Sequence, residues 1–352
     1  MSLTGDLRKQ LQSLLGSSYT LDNELGGGGM SRVFTATEAS LGRKVVIKVL
    51  PPEVAAGVKV ERFKREIQFM ARLNHPHIVP MLAAGGKGGL SYYVMPFMQG
   101  ESLRARILQH GELPLADVVR TLREVASALA FAHSNGIIHR DIKPDNVLLT
   151  GGSAMVTDFG VAKALSVSTG DGDDPNALTS LGITLGTPTY MAPEQATADP
   201  GMDHRADIYS FGAMAYEMLT GQPVFAARSP QGMLSAHISE EPVPVIERRP
   251  GIPPLLDSLV MSCLEKSPAN RPQTAEEIVR LLDEIVMPRE ESDTVAGDDD
   301  GASKPFSSGA MRLLSRRKTR SRGREGNRYL VVTIVVLLVA LVMIAGIWLG
   351  LR

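Results

Sequence analysis

One loop restricts the fold of this chain more than any other feature, the stretch IIHRDIKPDNVLL at residues 137–149. Two apolar, strand-like pieces enclose a dense set of polar side chains. That set consists of His139, Arg140, Asp141, Lys143, Asp145 and Asn146. Because loops collect polar residues in general, the meaning of this one depends on the motifs before and after it.

A glycine-rich stretch, LGGGGMSRVF at residues 25–34, runs directly into a strand-like sequence. Glycine lets the backbone approach a ligand closely, although a flexible linker has the same composition. A dinucleotide-binding loop would lead into a helix, and a Walker loop would need Gly-Lys-Ser/Thr, which is absent. The stretch fits a strand–turn–strand flap, G-x-G-x-x-G-x-V, with Gly26, Gly28, Ser31 and Val33 in the defined positions.

A lysine follows on the next predicted strand, in the sequence VVIK that ends at Lys48. An ammonium among apolar neighbours needs an anion nearby. Glu66 is the candidate, because it lies in a stretch with helical periodicity over residues 60–74. Such a pair would hold the Lys48 ammonium towards nucleotide phosphates.

These motifs, with four more in the same order, resemble the eukaryotic-like protein kinase family. The further motifs are VTDFG with Asp158 and Phe159, GTPTYMAPE with Thr187 and Glu194, DHRADIYSFG with Asp207, and CLEKSPANRP with Arg271. The sequences GGMSRVF and YMAPEQATADP are similar to bacterial members. Lys143-Pro144 and GTPTYMAPE resemble serine/threonine kinases rather than tyrosine kinases.

The resemblance implies an α+β, bilobal protein-kinase-like fold over residues 19–287. A small β-rich N-lobe is expected at about 19–97 and a larger α-helical C-lobe at about 98–287. Strands are predicted at RVFTATEA and RKVVIKVL. Helices are predicted to end at Gly136 and Gly221.

The resemblance also implies roles for individual residues. Asp141 would orient the substrate hydroxyl, Lys143 would neutralise phosphoryl charge, and Asn146 and Asp158 would hold Mg²⁺, with Mn²⁺ as an alternative ion. The expected ATP-binding residues are Leu25, Gly26, Gly27, Gly28, Gly29, Met30, Ser31, Arg32, Val33, Val46, Lys48, Glu66, Met95, Met98 and Leu148. Residues with an expected structural role are His139, Arg140, Phe159, Thr187, Glu194, Asp207 and Arg271. The resemblance implies that Glu194 and Arg271 form a buried ion pair that anchors the activation segment.

The sequence departs from the family pattern at Ser31, Val46 and Pro96, none of which removes a catalytic group. Between Gly160 and Gly186 the chain has six hydroxyl residues, Ser166, Ser168, Thr169, Thr179, Ser180 and Thr184. Thr179 is the favoured autophosphorylation site and Thr184 the second, and a phosphate there would bind Arg140.

The C-terminal part changes character three times. Residues 288–310 are acidic and polar, as in a linker, and residues 311–328 carry eight Lys or Arg. Residues 329–351 contain no charge and would span about 34 Å as a helix, enough to cross a bilayer. The basic flank predicts a single-pass protein of the cell membrane with a cytoplasmic kinase domain and its C-terminus at the outer face. At the other end, residues 1–18 are assigned to an N-terminal extension.

The leading functional hypothesis is an ATP-dependent serine/threonine protein kinase acting on proteins, including its own activation loop. A catalytically silent membrane scaffold and a small-molecule kinase are the alternatives. With 37 Lys and Arg against 38 Asp and Glu, the charge balance gives no reason to expect a nucleic-acid partner. Anionic lipid is expected at the basic segment, and pairing with a second copy of the chain stays open.

Overall fold

The computed structural model describes residues 3–26, 32–50, 70–87, 90–159, 188–226 and 228–285. All of them belong to the first of two units, Met1–Glu290. The second unit, Glu291–Arg352, lies outside the described residues.

An antiparallel sheet forms the first lobe. Its strands, in spatial order, are Tyr19–Gly26 (β1), Arg32–Glu38 (β2), Lys44–Leu50 (β3), Leu90–Pro96 (β5) and Ala83–Lys87 (β4). The two predicted strands are therefore confirmed as β2 and β3. Side chains alternate along β3: Val45, Ile47 and Val49 are fully buried on one face, whereas Val46 and Lys48 project from the other.

A helix covers the face that carries Val45, Ile47 and Val49. The sequence had assigned its residues to an N-terminal extension outside the kinase domain. Helix α1 (Leu3–Leu15) buries Leu7, Leu11 and Leu15 in the same apolar cluster as β2 and β3. Its Gln12 side chain donates to Tyr19 O at 2.9 Å and accepts from Leu21 N at 2.9 Å. The N-terminal extension is thus part of the packed first lobe.

The second lobe is mainly helical. Its helices are Leu103–His110 (α2), Leu115–Ser134 (α3), Pro193–Ala196 (α4), Arg205–Thr220 (α5), Pro230–Ser239 (α6), Val245–Arg248 (α7), Pro254–Cys263 (α8) and Ala275–Asp283 (α9). Short 3₁₀ turns lie at Pro144–Asn146, Pro188–Tyr190 and Pro268–Asn270. Helix α5 is central, because every residue from Ala206 to Leu219 is buried and such a helix needs protein on all sides.

Both predicted helix ends are confirmed. Helix α3 ends at Ser134, and Gly136 follows with φ of 72°. Helix α5 ends at Thr220, and Gly221 follows with φ of 67°. Glycine has no Cβ and therefore adopts this left-handed conformation without strain.

A small second sheet places the polar loop. It consists of Glu101–Ser102 (β6), Val147–Thr150 (β7) and Ser153–Val156 (β8). Strand β7 begins directly after the 3₁₀ turn at Pro144–Asn146, and β8 ends two residues before Asp158. Val79 N donates to Val156 O at 2.9 Å, which ties β8 to the chain that leads into β4. The loop and Asp158 are therefore positioned by the same hairpin.

Several predictions fall outside the described residues. They concern the Gly-rich turn at 27–31, most of the predicted helix at 60–74, the part of the activation segment at 160–187 and the C-terminal stretches at 288–310, 311–328 and 329–351. In the part of the chain that is described, no helix is both long enough and apolar enough to cross a membrane.

Candidate active site

The polar loop surrounds Asp141 with donors. Lys143 Nζ lies 2.8 Å from Asp141 Oδ2. Asn146 Nδ2 donates to the same oxygen at 3.0 Å and to Asp141 O at 2.7 Å. The Asp141 side chain is 47% exposed, whereas Asn146 is buried. The loop therefore presents an accessible carboxylate next to a fixed ammonium and a fixed amide.

A buried carboxylate sets the backbone of this loop. Asp207, at the start of α5, accepts from His139 N at 2.8 Å and from Arg140 N at 2.7 Å. Burial opposes its ionisation, but the hydrogen bond from His133 Nε2 and the charge of that ring hold the pKa of Asp207 below its ordinary value. Arg140 has φ of 69°, a conformation that costs free energy in a residue with a Cβ. The two bonds from Asp207 stabilise that turn directly before Asp141.

Four of the remaining predicted structural residues form two contacts, one within this loop and one elsewhere in the second lobe, and Thr187 lies outside the described residues. His139 is fully buried, and its Nε2 lies 2.9 Å from Thr157 O. Its ring meets the Phe159 ring edge-on, with centroids 4.6 Å apart. Arg271 and Glu194 form the predicted buried ion pair, with two bonds of 2.6 and 2.8 Å.

A second carboxylate, Asp158, lies between the lobes. Lys48 Nζ lies 2.5 Å from its Oδ2, and the Tyr93 hydroxyl donates to its Oδ1 at 2.6 Å. Burial again opposes ionisation, but Lys48 and then Tyr93 hold the pKa of Asp158 below its ordinary value. For Tyr93, burial and then the Asp158 charge raise the pKa well above its usual 10.0. The phenol therefore stays protonated and acts as the donor.

The predicted partner of Lys48, Glu66, lies outside the described residues. The sequence did not predict the contact between Lys48 and Asp158, and it did not indicate that Tyr93 belongs to the site. The register of β3 against β5, which pairs Lys48 with Tyr93, carries the missing information. A sequence alone does not give that register.

The inner face of the first sheet supplies the predicted nucleotide-binding surface. Val33 pairs with Lys48 between β2 and β3, and Val46 pairs with Met95 between β3 and β5. Met98 and Leu148 are half-buried. The structure describes both ends of the flap, Leu25 and Gly26 on β1 and Arg32 on β2. The backbone of Gly26 has φ of 119°. Gly27, Gly28, Gly29, Met30 and Ser31 lie outside the described residues.

A second group missed by sequence reasoning links the loop to α2 and α5. Arg104, on α2, donates to Glu217 Oε1 at 2.7 Å and to Asp145 Oδ2 at 3.3 Å. The Tyr190 hydroxyl contacts both Arg104 and Glu217. This network fixes the 3₁₀ turn Pro188–Tyr190, which lies in the last part of the activation segment.

The donor chemistry fits a divalent cation with nucleotide phosphates. Asp158 offers its carboxylate oxygens as ligands. The NH₂ group of Asn146 donates both of its hydrogen bonds to Asp141, so the side-chain oxygen of Asn146 is the atom that could bind a cation. Mg²⁺ in nucleotide sites commonly takes one or two carboxylates together with phosphate oxygens. The described residues hold no cluster of three or more His, Cys, Asp or Glu suited to a metal. Asn146 and Asp158 are the residues that would hold the ion together with nucleotide phosphates.

Comparison with known proteins agrees with this geometry. Residues 19–281 match the protein kinase domain family. The serine/threonine-protein kinase PknB of Mycobacterium leprae is 40% identical over 270 residues, which are 75% of this chain and 42% of that protein. The serine/threonine-protein kinase pkn3 of Myxococcus xanthus is 36% identical over 300 residues, 83% of this chain and 54% of that protein. The chain thus spans about half the length of these relatives.

A solved structure shows the same fold. The crystal structure of Rad53 1–466 in complex with AMP-PNP aligns with a TM-score of 0.61 at 24% identity. The alignment covers 74% of this chain and 64% of that one.

The buried ion pair predicts a stability difference. Replacing Arg271 with Met leaves the Glu194 carboxylate buried without its partner, so we expect the free energy of unfolding to fall by about 3–5 kcal/mol. Arg228→Met is the control, because its pair with Glu240 is exposed and is expected to contribute less than about 1 kcal/mol. Urea unfolding of the full chain, followed by circular dichroism, measures both. Equal losses in the two variants would contradict the structural role of the buried pair.

Proposed function

The chain belongs to the protein kinase domain family, and we propose that it is an ATP- and Mg²⁺-dependent serine/threonine protein kinase. One observation carries this proposal: the exposed Asp141 carboxylate is held in one loop with the Lys143 ammonium and the Asn146 amide. In phosphoryl transfer the protein mainly positions the reactants and stabilises charge, and this loop supplies groups for both tasks.

Each residue has a defined part in the reaction. Asp141 accepts the hydrogen bond of the attacking hydroxyl and takes its proton while that oxygen bonds to the γ-phosphorus of ATP. The bond from this phosphorus to the bridging oxygen of the β-phosphate breaks in the same step, and ADP leaves. Lys143 neutralises charge on the transferred group, and Lys48 faces the phosphates that remain on the nucleotide. Asn146 and Asp158 would hold Mg²⁺, which neutralises phosphate charge when bound.

Two features favour a protein substrate. The Arg271–Glu194 pair and the Arg104 network hold the end of the activation segment, and a full segment through Glu194 resembles that of protein kinases. The relatives from Mycobacterium leprae and Myxococcus xanthus are both named serine/threonine-protein kinases. These features support the proposal over a small-molecule kinase. A silent scaffold is disfavoured because Lys48, Asp141, Asn146 and Asp158 are all present.

Asp141→Asn tests the proposed role most simply. We expect the rate of phosphoryl transfer to fall by at least about 100-fold, because the amide cannot take the proton of the substrate hydroxyl. The full chain is purified in detergent and assayed with radiolabelled ATP. Asp117→Asn is the matched control, since Asp117 pairs with Arg120 at the surface of α3. An Asp141→Asn rate equal to that of the wild-type chain would contradict the proposal.

We propose that phosphorylation of the activation segment regulates the kinase. Thr179 and Thr184 precede GTPTYMAPE, and a phosphate there carries a charge of about −1.5 to −2, which Arg140 next to the catalytic Asp141 would bind.

After incubation with Mg-ATP, we expect mass spectrometry to find phosphate on Thr179 and Thr184 of the wild-type chain but not of Asp141→Asn. The Thr179→Ala/Thr184→Ala variant is expected to lose most of its activity, because Arg140 would then have no phosphate to bind. Ser166→Ala/Ser168→Ala is the control in the same segment. Full activity in the threonine variant would exclude this switch.

We also propose that the chain is anchored in the cell membrane by residues 329–351. The support is the uncharged run together with the eight Lys or Arg at 311–328. The positive charges favour a cytoplasmic kinase domain and would attract anionic lipid by about 1 kcal/mol each.

Truncation after residue 328 tests the anchor. We expect the full chain to stay with membranes after a high-salt wash and the truncated chain to be released, because salt screens the basic segment but not the apolar helix. Release of the full chain by salt alone, or retention of the truncated chain, would show that residues 329–351 are not the anchor.

A further inference from the structure

We propose that Tyr93 is a positioning residue that fixes the Asp158 carboxylate for the divalent cation and thereby sets the affinity of the kinase for Mg²⁺. This inference rests on the proposed function, because it assumes that Asp158 holds the cation of a bound nucleotide. Nothing in the motifs themselves singles out Tyr93, which lies on β5 among mostly apolar residues.

The sheet register brings Tyr93 to this place. Tyr93 on β5 is the direct cross-strand partner of Lys48 on β3. Partners across an antiparallel pair project from the same face, so the phenol and the ammonium enter the cleft together. They then divide the Asp158 carboxylate between them: Lys48 binds Oδ2 and Tyr93 binds Oδ1.

The buried Tyr93 hydroxyl forms a strong, directional hydrogen bond with Asp158. Tyr93 is only 2% exposed, and a buried phenol needs a hydrogen-bond partner. Its partner is an ionised carboxylate at 2.6 Å, and bonds of this charge-assisted kind are about twice as strong as neutral ones. The contact between Tyr93 and Asp158 is therefore directional as well as close.

Asp158 depends on such contacts. Its φ is 66°, and a residue with a Cβ keeps this conformation only where its surroundings enforce it. Lys48 and Tyr93 are the two side-chain donors that the described structure shows on its carboxylate oxygens.

Nucleotide binding affects the hydrogen bonds of Lys48 and Tyr93 to Asp158 differently. The Lys48 ammonium is needed at the phosphates, so its hold on Asp158 weakens when the cleft fills. Tyr93 is uncharged and fixed in the core, and its bond to Oδ1 remains. Because a carboxylate oxygen has two lone pairs, that bond leaves coordination sites on Asp158 for the ion.

Tyr93→Phe removes the hydroxyl and keeps the ring. Loss of a partner that orients a metal ligand typically costs 10- to 100-fold in metal affinity. We therefore expect the Mg²⁺ concentration that half-saturates binding of a fluorescent ADP analogue to rise at least about 10-fold. Binding of the analogue in EDTA is expected to change less than about two-fold, because Tyr93 acts on the carboxylate and not on the nucleotide.

Tyr92→Phe is the matched control. Tyr92 is the preceding residue on the same strand, and it packs on the opposite face against the cluster that contains α1. This variant is expected to have the half-saturating Mg²⁺ concentration of the wild-type chain. All chains are measured at full length in detergent, and thermal unfolding verifies that each is folded. Tyr93→Met serves as a second variant without the hydroxyl, should Tyr93→Phe fail to fold.

The outcomes distinguish failure of the positioning role of Tyr93 from failure of the proposed kinase function. An unchanged half-saturating Mg²⁺ concentration in Tyr93→Phe would overturn the positioning role. An equal loss of ADP affinity with and without Mg²⁺ would also overturn it, because that result assigns Tyr93 to the shape of the cleft. Failure of both Tyr93 variants to fold would make it a core residue only. If the wild-type chain binds no ADP even with Mg²⁺, the proposed function falls, and this inference with it.

Discussion

The Asp207 carboxylate, buried at the start of the central helix α5, determines the conformation on which the proposed catalytic loop depends. It binds the backbone N–H groups of His139 and Arg140 and so holds a left-handed residue directly before Asp141. A buried carboxylate would be costly without partners, but this one has two backbone donors and His133. The central helix of the second lobe is thereby coupled to the loop that carries Asp141.

The other two carboxylates of the site are also held by hydrogen-bond donors. Asp158 takes donors from Lys48 and Tyr93, and Asp141 takes them from Lys143 and Asn146. Lys48 and Tyr93 lie on neighbouring strands of the first sheet, and Asn146 is buried in the 3₁₀ turn that follows Asp141. Charge is therefore placed before any substrate arrives, which is the condition for electrostatic stabilisation of a transition state.

Local chemistry determined what could be predicted from the sequence. Strand-like runs rich in β-branched residues predicted β2 and β3, and glycines after helical stretches predicted the ends of α3 and α5. The family motifs predicted the pairing of Glu194 with Arg271. The packing of α1, the donor role of Tyr93 and the contacts of Arg104 were not predictable, because each depends on strand register or on residues far apart in the chain. A tyrosine in an apolar strand predicts only burial, and the structure adds the direction of its hydroxyl.

The central claim is that the cleft between the lobes binds a metal–nucleotide complex through the groups around Asp158. A crystal structure of the full chain with Mg²⁺ and a non-hydrolysable ATP analogue tests it most directly. The account predicts nucleotide density against the inner face of β2 and β3, with Lys48 at the phosphates and the ion beside Asn146 and Asp158. Nucleotide bound elsewhere, or an ion without contact to either residue, would contradict it.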